Sequence, residues 1–289
     1  MKPEFIDAHA HLNFSAFDAD RESVIKRALE ARIWMINVGT QKDTSKKAIE
    51  LAEKYEKGVY AIVGLHPIHT GKSFHDKDEI GEGGQEFTSR GEEFDFEYYK
   101  KLALHPKVVA IGECGLDYYR SKNYELGIIN GGQKKQKEVF RKHIELAIDI
   151  GKPLMLHVRS DGGRSAYRDA LSILKSYNFN LKSTPANFHF FAGGWEEAKE
   201  ILDSGFNLSF TGVITFARDY DEVIKNTPLD RILSETDCPY VTPAPFRGKR
   251  NEPLYVREVV KKIAEIKGED CEKVTTQLVV NAMNFFGLG

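Results

Sequence analysis

The amino-acid sequence predicts one α/β domain of the (β/α)8 TIM-barrel class, and three observations carry that prediction. Eight short strand-like runs follow one another along the chain, each succeeded by a helix or by a loop leading to one, which is the pattern of a parallel sheet closed on itself. The length of 289 residues suits a single barrel, which typically needs about 250. No Gly-x-Gly-x-x-Gly follows the first run, which removes the main reason to prefer an open dinucleotide-binding sheet.

The first strand-like run is Phe5-Ile6-Asp7-Ala8-His9-Ala10-His11-Leu12. Asp20 to Ala31 is predicted helical, with Val24, Ala28 and Leu29 at helical spacing, and Ile33 to Val38 is extended up to Gly39-Thr40. Thr44 to Lys54 presents Ala48, Ile49 and Ala52 as an inner helical face, and Val59 to Val63 leads into Gly64-Leu65-His66-Pro67. The alternation then breaks at 72–97. This Gly-rich stretch carries nine acidic residues (Asp76, Asp78, Glu79, Glu82, Glu86, Glu92, Glu93, Asp95, Glu97) against three basic ones (Lys72, Lys77, Arg90). It is expected to be an inserted surface loop, because long structureless loops are uncommon unless functional or disordered, and the alternation resumes after it.

A helix is predicted from Phe94 to Leu104 and a strand from Val108 to Ile111, ending in Gly112-Glu113-Cys114-Gly115-Leu116-Asp117. Gln133 to Asp149 forms a long helix, stopped by Gly151-Lys152-Pro153 before the strand Leu154 to Leu156 and its terminal His157. Arg164 to Tyr177 is helical, and Ala186 to Phe188 is a strand ending at His189. Helix Trp195 to Asp203, strand Asn207 to Phe210, helix Tyr220 to Asn226 and strand Arg231 to Leu233 follow. Helices at Leu254 to Lys267 and Asp270 to Phe286 close the chain. One domain is expected over 1–289.

Composition narrows the function classes. With 41% hydrophobic and 29% charged residues the chain has ample core. A formal net charge of −2 excludes a generally basic surface, so contact with nucleic acid must rest on a local basic patch or on metal ions that meet phosphate. Cys114, Cys238 and Cys271 are the three cysteines, without Cys-x-x-Cys spacing, as expected for free thiols in a reducing compartment. No leader-like segment and no apolar run of about 20 residues occurs, so a cytoplasmic, non-membrane protein is expected.

In a barrel of this kind the chemistry lies at the C-terminal ends of the strands, so what each strand delivers there is informative. The first gives His9 and His11, which alternation allows to share a face with Asp7. The third gives His66, the fourth Glu113, the fifth His157, the sixth His189 and the eighth Asp237. All are metal-ligand types. His66 precedes proline and is expected to meet substrate phosphate instead of metal. His69, His75, His105 and His143 lie in the insertion, at a helix end or in a helix, and are read as structural or solvated.

Asp7-Ala8-His9-Ala10-His11, Gly64-Leu65-His66-Pro67, Ala110 to Tyr118, Pro153 to Arg159, Glu235-Thr236-Asp237-Cys238-Pro239-Tyr240 and Arg247 to Pro253 together resemble the TatD family of metal-dependent deoxyribonucleases, in order along nearly the whole chain. The resemblance implies an amidohydrolase-superfamily barrel, two divalent metal ions (Mg, Mn or Zn) and hydrolysis of DNA phosphodiesters, at single strands or 3′ ends. By position it implies that His9, His11, Glu113 and Asp237 hold one ion and Glu113, His157 and His189 the other, with Asp7 in support. The insertion at 72–97 departs from the family's pattern.

On chemical grounds, two ions sharing Glu113 would activate water and stabilise phosphoryl charge. Asp237 could then take the proton of the attacking water, which makes Glu113 and Asp237 the catalytic pair. Arg159, Arg247, Lys249 and Arg250 are the candidate phosphate partners, and Tyr118, Tyr119 and Tyr240 the candidate base-stacking rings. A rival reading keeps the same rim for a small ester, amide or acyl substrate.

Overall fold

Short runs rich in Ile, Val, Leu and Phe alternate with longer amphipathic runs, and in the computed structural model the first kind forms strands and the second helices. The structure describes residues 2–71, 73–75, 87–89, 91–119, 129–163, 165–177 and 185–289. The barrel strands are β1 (Phe5–Ala10), β2 (Ile33–Val38), β3 (Val59–Val63), β4 (Val108–Asp117), β5 (Leu154–Arg159), β6 (Ala186–His189), β7 (Asn207–Phe210) and β8 (Ile232–Ser234). They pair in sequence order, all parallel. Closure runs through the segment after β8: Asp237 N–H donates to His9 O at 2.9 Å, and His11 N–H donates to the Cys238 carbonyl at 2.8 Å. The predicted (β/α)8 barrel is the fold observed.

The helices are α1 (Arg21–Glu30), α2 (Lys42–Glu53), α3 (Phe96–Ala103), α4 (Ile129–Ile150), α5 (Ala166–Lys175), α6 (Trp195–Asp203), α7 (Asp221–Asn226), α8 (Val256–Lys267) and α9 (Cys271–Phe286). The main departures from expectation are that β4 runs on through Gly112 to Asp117, β5 runs on to Arg159, and α4 begins at Ile129. Glycine read locally signals a break, but on β4 the paired neighbours hold the chain extended. Of the acidic insertion at 72–97, residues 72, 76–86 and 90 lie outside the described residues. Ser73–His75 and Phe87–Ser89 pair as an antiparallel ribbon.

Two apolar layers hold the barrel. Outward residues such as Met35, Ala61, Leu156 and Phe188 pack under the helices with Ile25, Phe140 and Ile263. Inward residues Ile6, Ala8, Ile36, Ile62, Ala110, Met155 and Leu233 fill the interior with Phe285, Phe286 and Leu288 from the end of α9. Each Leu, Ile, Met or Phe side chain among them contributes roughly 1.5–3 kcal/mol on burial.

Two register irregularities decide what reaches the mouth. On β1, Ile6 and Ala8 face the interior, yet Ala10 and Leu12 pack outward. The phase flips at the irregularity between Asp7 and Ala10, and His9 and His11 thereby turn inward. On β4 the same flip lies between Ile111 and Cys114. Ala110 faces in and Cys114 and Leu116 face out, which aims Glu113 and Asp117 inward. The strands here touch backbone to backbone. A Cβ on Gly112 would lie 2.4 Å from Met155 O, one on Gly115 would lie 2.1 Å from His157 O, and both glycines have positive φ, so only glycine fits.

His143 on α4 is buried against the end of β3. Its Nε2 accepts from Leu65 N–H at 2.9 Å and its Nδ1 faces Val139 O at 2.9 Å, so the neutral ring carries its proton on Nδ1. Burial pushes its pKa down from 6.5 to about 4. The unfolded chain therefore binds this proton first as pH falls. The stability tied to the neutral ring is complete above about pH 6.5 and declines toward pH 4, by on the order of 3 kcal/mol in all and about 2 kcal/mol by pH 5. Urea unfolding at pH 7.5 and 5 should show this loss, and His143→Gln should lack about 2 kcal/mol of it. An equal pH slope in both proteins would contradict a neutral buried ring.

Candidate metal centre

Inward-turned side chains from six strand ends meet around one buried carboxylate. Glu113 Oε1 lies 2.9 Å from His157 Nδ1, 2.9 Å from His189 Nε2 and 3.2 Å from His66 Nε2. Glu113 Oε2 lies 3.4 Å from His9 Nε2 and 3.9 Å from His11 Nε2. Asp237 Oδ1 is 3.3 Å from His11 Nε2 and 3.7 Å from His9 Nε2. All six residues expected as metal ligands from the sequence are thus brought together, with His66 beside them.

The donor set fits a divalent cation. His11 Nδ1 donates to Val38 O at 3.0 Å, which leaves its Nε2 a bare lone pair. That lone pair faces His9 Nε2 at 3.2 Å, and two imidazole nitrogens so close are placed to bind one shared cation. His9 Nδ1 is buried with no partner among the described residues. His9, His11 and Asp237 form one compact ligand group, His66, Glu113 and His157 a second, and His9, His189 and Glu235 a third.

Hydrogen-bond roles separate candidate ligands from supports within these groups. His66 Nδ1 accepts from Ile68 N–H at 3.2 Å, so its neutral proton sits on the Nε2 that faces Glu113. A ring that presents N–H suits an oxygen atom, not a cation. Glu235 is fully engaged: Oε1 faces His189 Nδ1 at 3.2 Å and accepts from Phe190 N–H at 2.7 Å, and Oε2 accepts from Ser209 O–H at 2.7 Å. Its role is to orient His189.

The electrostatics follow from burial against mutual attraction. Burial alone would raise Glu113, but His66, His189, His9 and the His157 hydrogen bond hold it well below the usual carboxylate range. Asp237 is likewise held ionised against burial by His11, His9 and His189. Burial would lower His189, yet Glu113 and Glu235 raise it well above 6.5. Burial also opposes the charged form of His157, and its bonds with Asp117 and Glu113 overcome that. His9, whose larger influences are burial and the neighbouring His189 ring stacked at 3.9 Å, is shifted down.

Two supports escaped the sequence reading. Asp117 Oδ2 takes His157 Nε2 at 3.0 Å, which fixes the ring and aims Nδ1 at Glu113, and Glu235 does the same for His189. Both are carboxylates spaced by an even number from an assigned site residue (Asp117 from Glu113, Glu235 from Asp237), and that spacing on an extended chain was the available signal. Asp7 departs from the expected shared face with His9 and His11, because the β1 irregularity intervenes. It accepts from Thr236 N–H at 2.8 Å and from Thr236 O–H at 2.6 Å, and so ties β1 to the segment carrying Asp237.

At the rim, Arg159 lies with its guanidinium carbon 4.0 Å over the Tyr119 ring. Arg247 lies 4.0 Å over Phe216 and donates to Thr242 O at 2.9 Å. Lys249 is exposed, 5.8 Å from the Phe246 ring centre. Arg250 differs from expectation: it pairs with Asp20 at 2.7 Å, donates to Ala16 O at 2.7 Å and covers Phe17, so its charge serves to pin the loop to the start of α1. Tyr118 is fully buried and Tyr119 is half exposed.

Comparison with known proteins adds the following. The family model described as "TatD related DNase" matches residues 6–287. An uncharacterized metal-dependent hydrolase, YabD of Bacillus subtilis, is 39% identical over 283 residues, covering 97% of this chain and 98% of its own. A protein of Erwinia amylovora named 3'-5' ssDNA/RNA exonuclease TatD is 31% identical over 290 residues, 98% of this chain and 99% of its own. The crystal structure of YJJV, a TatD homologue from Escherichia coli K12, superposes with a TM-score of 0.79 at 25% identity over 100% of both chains.

Glu235→Gln keeps the shape of the support but removes its charge, so divalent-ion affinity measured by calorimetry should fall about 10–100-fold. Asp117→Asn should act in the same direction through His157. Unchanged affinity in both would place the ion away from these imidazoles.

Proposed function

The chain belongs to the TatD-related DNase family of metal-dependent hydrolases, and from that premise we propose that it hydrolyses phosphodiester bonds of DNA, acting on single strands from 3′ ends. The observation that carries this reading is the convergence of His9, His11, His157, His189, Glu113 and Asp237 on one buried cluster at the barrel mouth. Two divalent ions, Mg, Mn or Zn, would be held there, His9, His11, Glu113 and Asp237 binding one and Glu113, His157 and His189 the other. When bound, they supply Lewis-acid polarisation of the phosphoryl group and a lowered pKa for the attacking water.

The chain's own residues do the rest. Asp237, ionised and 8% exposed, stands where it can take the proton of the attacking water. The water oxygen forms the new bond to phosphorus, the bond to the leaving sugar oxygen breaks, and solvent protonates that oxygen. The His66 Nε2–H, directed into the site, donates to a phosphoryl oxygen. Arg159, Arg247 and Lys249 meet the flanking phosphates, while Arg250 acts by holding the loop that carries them. A cytoplasmic setting belongs to the same proposal and is supported by three free thiols. Among the described residues no helix is long and apolar enough to cross a membrane.

A labelled single-stranded oligonucleotide should be shortened by the protein loaded with Mg, Mn or Zn and left intact after EDTA. Glu113→Gln and Asp237→Asn should each lower turnover by about 10²-fold or more. Metal-loaded protein that leaves DNA intact but cleaves a panel of small esters or amides would replace the nuclease reading with the amidohydrolase one.

A further inference from the structure

Most arginines in this fold are held by carboxylates or, like Arg141, Arg231 and Arg257, by backbone carbonyls. Arg21, Arg27, Arg32, Arg168, Arg218 and Arg250 are paired with carboxylates. Among the described residues, Arg159 and Arg247 have no carboxylate partner, and both lie at the C-terminal rim, each over a ring that is itself open to solvent: Tyr119 is 49% and Phe216 44% exposed. The rings stand beside different strands. Tyr119 follows β4 and Arg159 ends β5, whereas Phe216 follows β7 and Arg247 lies beyond β8. Strand order therefore places the two pairs on different arcs of the mouth that holds the Glu113 cluster.

We propose that Tyr119–Arg159 and Phe216–Arg247 are two nucleotide-holding platforms that grip an unpaired strand on either side of the scissile phosphate. The proposal rests on the nuclease reading and adds to it the residues that select single strands. Each ring restrains its arginine without neutralising it, so N–H donors remain for a phosphate. The ring's free surface accepts a base that is not already stacked in a duplex. Tyr119–Arg159 stands over the His157–Asp117 pair, because Arg159 is the register partner of Asp117 on adjacent strands. One grip is thus fixed to the same two strands that carry Glu113 and His157.

The test uses the full chain, a fluorescent single-stranded oligonucleotide and its duplex. Tyr119→Ala and Phe216→Ala should each raise the anisotropy Kd and the KM for the single strand about tenfold, within the range that loss of one base–aromatic stack gives, with kcat changed far less. Tyr119→Phe and Phe216→Tyr, which keep a ring, should restore the affinity. Duplex binding should respond less than single-strand binding. Unchanged Kd and KM in both alanine variants, or equal losses on duplex, would overturn the platforms while leaving the nuclease reading intact. Wild-type protein that binds the oligonucleotide through these rings yet never cleaves it would overturn the nuclease reading alone. Wild-type protein that neither binds nor cleaves it would overturn both.

Discussion

A buried carboxylate is the constraint from which the rest of this barrel can be reasoned. Glu113 is 3% exposed, and an uncompensated charge at that depth would cost several kcal/mol. Four imidazoles within 3.4 Å of its oxygens offset that cost, and each comes from a different strand. The carboxylate therefore depends on closure of the whole sheet: His9 arrives only because β1 meets the segment after β8, and His157 only because Gly112 and Gly115 let β4 lie against β5. The outer nitrogens of three imidazoles are satisfied in turn, by Val38 O for His11, Asp117 for His157 and Glu235 for His189, while His9 Nδ1 has no partner among the described residues. Removing one member exposes the others' unpaired charge, so the cluster behaves as a unit.

The sequence carried the architecture because hydrophobic periodicity is local. Each strand–helix alternation could be read within a dozen residues, and eight of them specify a closed barrel. β5 and β6 keep strict period two, so His157 and His189 follow directly from the apolar residues beside them. β1 and β4 do not. Their phase flips lie between Asp7 and Ala10 and between Ile111 and Cys114, and a flip is set by the partner strand, not by the run itself. This is why Asp7 could be grouped with His9 and His11 from sequence although the fold sends it to Thr236. It is also why β4 read as ending at Ile111.

What was least legible was hydrogen-bond direction. His66 and His157 are both histidines at strand ends and look alike in the chain. The fold distinguishes them by a single partner each: Ile68 N–H takes the lone pair of His66 Nδ1, whereas Asp117 occupies His157 Nε2 and leaves Nδ1 to face Glu113. Asp117 and Glu235 were both within quoted motifs, yet their function is defined by rings on other strands. The contacts of Arg250 were not legible for the same reason, since its partners Asp20 and Ala16 are more than two hundred residues away in sequence.

Centre and rim are built on opposite rules, and the difference suits a division between chemistry and recognition. In the centre nearly every polar atom is tied to another buried group, which fixes geometry at the cost of adaptability. Phe190 and Asp237 even hold left-handed backbone there, with φ of +45° and +54°. Glu235 accepts the N–H of one and His9 O takes the N–H of the other, so strain on the order of 1–3 kcal/mol per residue is sustained by the same network. At the rim, Arg159 and Arg247 rest on aromatic rings. A carboxylate in place of either ring would cancel the charge, as Asp20 does for Arg250 and Glu252 for Arg27. A ring orients the guanidinium and leaves its charge uncancelled. On the proposed nuclease reading, the chemistry is enclosed by rigid ion pairs, and the contacts proposed for varied bases fall on surfaces that every base can stack on.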